Sequence, residues 1–240
     1  MNARVRQLDP TVLARTLEGA RRAKGGGLVV FDLDSTLLDN RPRQARILQE
    51  FGRAHALAPL YAARPEHWDG WEIRHAMRNA GLGPADVETW AEDAKAFWRD
   101  RFFTSEYCAV DEGIAGARDF VVAVREAGAQ IAYCTGRHEA MRVGTVECFR
   151  RLGFPVPGPG VHLLMKPTFE LSDDDWKASV YQQLGRIGEV LAVFDNEPTH
   201  VNGYRAAFPE AIVVHLATDD SGRDVPLADG VRSVRNFTLA

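Results

Sequence analysis

Cysteine is scarce in this chain. Only Cys108, Cys134 and Cys148 occur in 240 residues, and their odd number and wide spacing read neither as a disulfide framework nor as a zinc cluster. A reducing, cytoplasmic setting is the expectation. Long apolar runs are missing too: none approaches the ~20 residues that a membrane-spanning helix needs, so no membrane partner is expected. The first 24 residues show no apolar leader and instead carry Arg4, Arg6, Arg15, Arg21, Arg22 and Lys24. Asp9 and Glu18 weigh against a transit peptide, so this stretch reads as a basic surface helix. Neither sign of charge dominates. The formal net charge of −4 argues against a general nucleic-acid binder, but not against a small phosphate ester, whose binding depends on local charge. No internal repeat or low-complexity tract appears.

What is present, 45% hydrophobic and 26% charged residues, suits a soluble globular protein that buries a full core without disulfides or structural metal. Asp9-Pro10 reads as a helix start, with Leu13 and Leu17 on one face and Gly25 to Gly27 as its end. Short apolar runs follow at Leu28 to Phe31, Gln130 to Cys134, Val161 to Met165, Leu191 to Phe194 and Ile212 to His215, each consistent with a buried parallel strand. Amphipathic stretches separate them. This alternation predicts an α/β fold with a mostly parallel sheet. Residues 40–112 break the pattern: they hold helical stripes, among them Ile47, Leu48 and Phe51, then Val87, Trp90, Ala94 and Trp98. Residues 1–39 and 113–240 are therefore expected to form the core and 40–112 a helical insert, its tryptophans packed inside. The tail from Asp219 to Gly230 reads as loop, with Val231, Val234 and Phe237 docking the C-terminus.

Ligands of open α/β sheets bind at the carboxyl ends of strands, so the residues after each apolar run matter most. They are Asp32-Leu33-Asp34-Ser35-Thr36, Thr135-Gly136-Arg137, Lys166, and Asp195-Asn196-Glu197. Singly each has an ordinary reading: an Asp after a strand caps a helix, Thr-Gly makes a turn, and a lysine is solvated. Together they suggest three carboxylates, of Asp32, Asp34 and Asp195, converging and relieved by a divalent cation. Hard oxygen donors without nearby His or Cys favour magnesium.

The runs FDLDSTL, YCTGR and VFDNE, with a lysine between the last two, resemble in order the four motifs of the haloacid dehalogenase superfamily. The resemblance spans Leu28 to His215, and the helical insert is similar to that family's first cap type. It implies a Rossmann-like core and an Mg-dependent phosphohydrolase working through an aspartyl phosphate. By the same resemblance Asp32 is the nucleophile and Asp34 the general acid/base, whose backbone carbonyl also binds metal. Relatives that cleave carbon–halogen bonds lack an acid at that place. Thr135 matches the phosphate-binding hydroxyl, with Gly136 and Arg137 beside it, and Asp195 the metal-binding acid. Asn196 stands where many relatives carry a second Asp, a loss that Glu197 could offset through water. The lysine is either Lys166 or Lys177. The stretch from Met165 to Lys177 is similar to the phosphatase part of polynucleotide kinase 3′-phosphatases, which favours Lys177 at a helix start and leaves Lys166 as a substrate-binding cation.

His138 reads as the start of a surface helix, and Cys134 as a small buried hydrophobe. Arg137 suits either a phosphate or a carboxylate partner. A small phosphorylated metabolite is the expected substrate, with a nucleic-acid 3′ or 5′ phosphate end as second choice. The alternatives are a phosphotransferase or mutase with the same motifs, or a non-catalytic phosphate-binding or partner-docking protein on this fold. Oligomeric state is not legible.

Overall fold

The computed structural model describes residues 8–239; Arg4 and Arg6 of the basic N-terminal stretch lie outside the described residues. In chain order the elements are α1 (Thr11–Arg22), β1 (Gly27–Phe31), β2 (Leu38–Asp39), α2 (Arg41–Ala54), α3 (Ile73–Asn79), α4 (Pro84–Phe102), α5 (Ser105–Cys108), β3 (Glu112–Gly113), α6 (Ala117–Glu126), β4 (Gln130–His138), α7 (Arg142–Leu152), β5 (Val161–Lys166), α8 (Asp173–Ser179), α9 (Tyr181–Ile187), β6 (Glu189–Asp195), α10 (Pro198–Ala207), β7 (Ile212–Leu216) and β8 (Arg232–Val234). They fall into two compact units. One runs to Leu38 and takes in Gly113–Glu139 and the chain from Phe149 onward; the other comprises Asp39–Glu112 and Ala140–Cys148. Among the described residues no helix is long and apolar enough to cross a membrane.

The first unit is an α/β layer structure. Six strands form a sheet in the order β5-β4-β1-β6-β7-β8, and every neighbouring pair is parallel. All five residues of β1 are buried, as a central strand covered on both faces requires. Alternate residues serve opposite faces. Leu28 and Val30 join Ala132, Cys134, Val193 and Val213 in a cluster with Leu184, Val201 and Tyr204. Phe31 instead stacks on Phe194, with ring centroids 5.1 Å apart, and both rings meet Phe120 and Phe237. From β1 the chain builds outward through β4 and β5 on one side, then returns to lay down β6, β7 and β8 on the other. The strand order thus reverses at β1, and the carboxyl ends of β4, β1 and β6 face one crevice.

Four expectations from the sequence need correction. β4 runs on through Thr135, Gly136 and Arg137 to His138, so His138 ends a strand and does not start a helix. Lys166 is the last residue of β5 and does not follow it. A sixth strand, β8, contains Val234; with only three residues, of which Arg232 is exposed and Ser233 buried, it offers no apolar run to read. Finally, the chain at 173–187 forms two short helices that meet at Val180. Ser172 caps α8, its hydroxyl oxygen accepting the Asp175 N–H at 3.1 Å, and Asp173, Asp174 and Asp175 crowd the first turn, where the helix dipole favours acids. Lys177 therefore sits in the last turn of a seven-residue helix, where a cation is favourable.

In the second unit the elements between residues 41 and 108 are all helices, joined by short turns. Leu48 and Phe51 of α2 pack with Leu60, Met77, Val87, Ala91 and Ala94, and Trp90 and Trp98 lie partly buried at the margin. Trp71 is the more open tryptophan, against Trp98 and Phe102. Arg43 and Asp111 form a fully buried ion pair, Nε to Oδ1 at 3.0 Å. Arg43 also donates from Nη1 to the Phe102 carbonyl at 2.8 Å and lies 3.8 Å from the centre of the Phe102 ring. Gly144 of α7 is required to be glycine, since a Cβ there would sit 1.8 Å from the Ser105 carbonyl oxygen.

Candidate active site

Asp32 leaves β1 directly, its N–H still donating to the Phe194 carbonyl of β6 at 2.9 Å. Asp195 ends β6. Lys177 of α8 reaches both, its Nζ 2.6 Å from Asp32 Oδ1 and 2.8 Å from Asp195 Oδ2. All three are buried; Lys177 and Asp195 are each 1% exposed and Asp32 8%. Two carboxylates thus share one ammonium, and only Asp32 keeps some exposure. Burial pushes the Asp32 carboxyl up to about 7; Lys177 opposes this, and the charge of Asp195 adds to it. Asp195 is held well below the usual carboxylate range: burial acts against its charge, but Lys177 and His200 outweigh burial. Lys177 stays firmly protonated, because Asp195 and Asp32 more than offset its burial.

α8 is shaped to make this contact. Asp173, Trp176 and Lys177 lie at spacings of three and four, on one helix face, and all three touch the neighbouring strand ends. Trp176 Nε1 donates to the Thr135 carbonyl at 2.9 Å. The Asp173 carboxylate lies over Gly136, where a Cβ would come within 2.4 Å of Oδ2 and displace it. Lys166 donates to Asp173 Oδ1 at 2.7 Å, neutralising the acid that rests on Gly136. The structure therefore places Lys177 on Asp32 and Asp195, and Lys166 on Asp173. The Thr135 hydroxyl is buried, and its oxygen accepts the Arg137 N–H at 3.2 Å, which leaves its own hydrogen to donate. Arg137 donates from Nε and Nη2 to the two Asp34 oxygens, each at 2.8 Å.

The residues after Asp195 anchor the surroundings. Asn196 accepts from the Thr36 hydroxyl at 3.1 Å and donates to the Asp219 carbonyl at 2.6 Å. Glu197 accepts the Ser221 N–H at 2.9 Å and pairs with Arg223 at 3.1 Å. Both therefore hold the polar loop after β7 against the end of β6. Two further residues, His200 and Arg223, were not singled out by the sequence. His200 packs behind Asp195, Nδ1 to Oδ1 at 3.5 Å, with Nε2 2.9 Å from Asp174 Oδ1. Burial acts to lower the His200 pKa, but Asp195 outweighs burial and holds it above the ordinary imidazole value. A hydrogen bond from Arg223 holds the Asp174 carboxyl down at about 2. A histidine five positions after a strand-end acid was the one faint signal; Arg223 lies in the loop and gave none. Cys134 is buried, and burial pushes its thiol up to about 11, which makes it unreactive.

The three-carboxylate convergence expected from the sequence is not what forms. Asp32 and Asp195 converge, whereas the Asp34 carboxylate turns to Arg137, and among the described residues no three His, Cys, Asp or Glu side chains gather as a metal cage. Two buried carboxylates, those of Asp32 and Asp195, still fit magnesium. That ion is commonly held by one or two carboxylates together with water and substrate phosphate.

Comparison with known proteins agrees with this architecture. A haloacid dehalogenase-like hydrolase family model matches residues 27–154. A phosphoglycolate phosphatase of Pseudomonas putida is 37% identical over 120 residues, covering 47% of this chain and 42% of that protein; the matched part is thus less than half of either. CbbY from Rhodobacter sphaeroides, solved in complex with phosphate, is 13% identical with a TM-score of 0.51, covering 88% of this chain and 94% of the other. A HAD-superfamily hydrolase of subfamily IA, variant 1, from Geobacter sulfurreducens is 11% identical with a TM-score of 0.50, over 89% and 94%. At these identities the two structures share the fold. The family match covers the strand that ends in Asp32 and the strand that carries Thr135 and Arg137, and the chain belongs to the haloacid dehalogenase-like hydrolases.

Proposed function

We propose that this chain is a magnesium-dependent phosphatase that hydrolyses a small phosphate monoester through a phosphoryl group carried on Asp32. The observation that carries this reading is the Lys177 ammonium shared between Asp32 and Asp195 at the reversal point of the sheet. A carboxylate attacks phosphorus only when its own charge and that of the phosphate are offset and the two are held in line. Lys177 supplies a fixed positive charge beside the attacking oxygen. Magnesium, held by Asp32, Asp195 and the Asp34 backbone carbonyl, would supply the remaining charge neutralisation.

In the first half-reaction an Asp32 oxygen bonds to phosphorus, the bond from phosphorus to the ester oxygen breaks, and Asp34 gives that oxygen a proton. In the second, water attacks the phosphorus of the aspartyl phosphate, Asp34 takes a proton from it, and Asp32 leaves as carboxylate with inorganic phosphate. The Thr135 hydroxyl donates to a phosphoryl oxygen throughout. Residues 40–112 would act as the cap that excludes water and selects the ester. The similarity to a phosphoglycolate phosphatase supports a small phosphorylated metabolite over a nucleic-acid end. Phosphate release from p-nitrophenyl phosphate and a panel of phosphorylated metabolites, with and without magnesium, tests the reading. Release that needs magnesium and stops in EDTA is expected. No release from any ester, or full rates in chelator, would remove the proposal.

A further inference from the structure

The side chain of Asp34 is fixed by a partner far away in the chain. Arg137 lies 103 positions away and makes a two-pronged contact, Nε to Oδ2 and Nη2 to Oδ1, both at 2.8 Å. The Arg137 side chain is 1% exposed and that of Asp34 22%. The guanidinium therefore sits on the buried side of the carboxylate, and Asp34 is the member a ligand can reach. A planar fork of this kind fixes the rotation of a carboxylate as well as its position.

The backbone supports the same geometry from both sides. Regular pairing of β4 with β5 is interrupted between Thr135 and His138, an irregularity of the kind that re-aims a side chain near a site. Ser35, next to Asp34, adopts a left-handed conformation with φ 57°, uncommon for a residue with a side chain. It is held there by its N–H donating to the Leu38 carbonyl at 2.8 Å and by the Thr218 hydroxyl donating to its own carbonyl. Chain direction and side-chain rotation of Asp34 are thus both set before any ligand arrives.

We propose that Arg137 is a positioning residue, which orients the Asp34 carboxylate for proton transfer and acts on catalysis through Asp34 alone, not by binding the phosphoryl group. The inference rests on the reading of Asp34 as acid/base. Proton transfer needs heavy atoms within about 2.6–3.2 Å, so a carboxylate freed to rotate is in place for only part of the time. The alternative, a guanidinium that grips phosphate, makes a different prediction for phosphate affinity.

The test is a double-mutant cycle. Wild type, Arg137→Ala, Arg137→Lys, Asp34→Asn and the Asp34→Asn/Arg137→Ala and Asp34→Asn/Arg137→Lys doubles are assayed with magnesium on p-nitrophenyl phosphate and on an alkyl phosphate. Inorganic phosphate serves as competitive inhibitor, and thermal melts check folding. Arg137→Ala should lower kcat ~10- to 100-fold, more for the alkyl ester, whose leaving oxygen needs the proton. The inhibition constant for phosphate should stay within about threefold of wild type, since no phosphate contact is lost. Arg137→Lys should recover part of the rate. In the Asp34→Asn background the Arg137 changes should cost less than about twofold, because the group they act through is gone. A rise in the phosphate inhibition constant that matches the loss in kcat, or an undiminished loss in the Asp34→Asn background, would overturn the proposal. If Arg137→Ala does not fold, the lysine pair carries the same comparison. Wild-type rates from Asp34→Asn would remove the acid/base reading and this inference with it, whereas a slow Asp34→Asn enzyme that stays equally sensitive to Arg137 removes this inference alone.

Discussion

Each of the two units buries a cluster of charges, and the clusters are balanced differently. In the helical unit, Arg43 meets Asp111 with neither side chain exposed, and the guanidinium also reaches the Phe102 carbonyl and ring. At the strand ends, Asp32 and Asp195 share Lys177. The first sets opposite charges against each other where neither side chain is exposed. The second crowds two carboxylates onto one ammonium, with His200 behind Asp195, and crowding of like charges is held at a cost in stability. Burial accordingly drives the Asp32 carboxyl up to about 7. A closed buried pair reads as a staple; two crowded carboxylates, one of them partly open, read as a place where a cation and a phosphate can enter.

Four experiments press on this contrast, taken from the largest expected effect down. Asp32→Asn should lower turnover by at least ~10³-fold, since an amide cannot attack phosphorus. It should also leave the melting temperature unchanged or higher, because one of the two crowded carboxylates is gone. A fall of several degrees would mean that the cluster stabilises the fold as the Arg43 pair does. Lys177→Ala should lower kcat at saturating substrate ~10²-fold or more, the size of one electrostatic contact to a transition state, and Lys166→Ala far less. The reverse order would assign the role to Lys166.

Arg43→Ala should leave kcat within about twofold well below the melting temperature, yet cost roughly 3–5 kcal/mol in urea unfolding, because buried Asp111 loses the guanidinium beside it. Arg43→Met combined with Asp111→Leu should recover most of that loss. A large drop in kcat for the folded single variant would erase the division into staple and site.

The smallest effect is on pH. An acid whose folded pKa of about 7 lies above its ordinary 3.8 binds its proton more tightly in the folded state. Its contribution to stability is therefore fully present below about 3.8 and is lost as pH rises through about 7. Unfolding of wild type and Asp32→Asn in EDTA should show that difference between pH 4 and 8. Saturating magnesium should reduce it, since a cation favours the ionised form. Curves that stay parallel across this range would show that Asp32 is not held in an unfavourable charge state.

The sequence displayed the class of fold because strand and helix alternate in apolar runs that need burial on both faces. It displayed the strand-end residues Asp32, Thr135 and Asp195 for the same reason: each follows or closes such a run. It could not display partners set by tertiary distance. Arg137 beside Asp34 depends on how far β4 continues, and the apolar run ends at Cys134. The orientation of α8 was hidden as well, because the stop at Val180 has no glycine or proline to mark it. Arg223 and Asn196 act through the loop after β7, where composition says only that the chain is polar. The three-residue β8 falls below the length at which alternation becomes a pattern.

The all-parallel sheet has a consequence for how the protein comes into being. Asp32 and the Lys177 that meets it are 145 positions apart, and β1 pairs with β6 only after the helical unit, β4 and β5 have been laid down in sequence. Closing so long a loop carries an entropic cost that must be met before any contact rewards it. A chain emerging from synthesis therefore carries its nucleophile early, unpaired with Lys177 and Asp195, and gains a working centre only when the last third is in place. Recovery of activity after dilution from denaturant should lag behind recovery of helical signal, and that lag would time the joining of the two halves of the sheet.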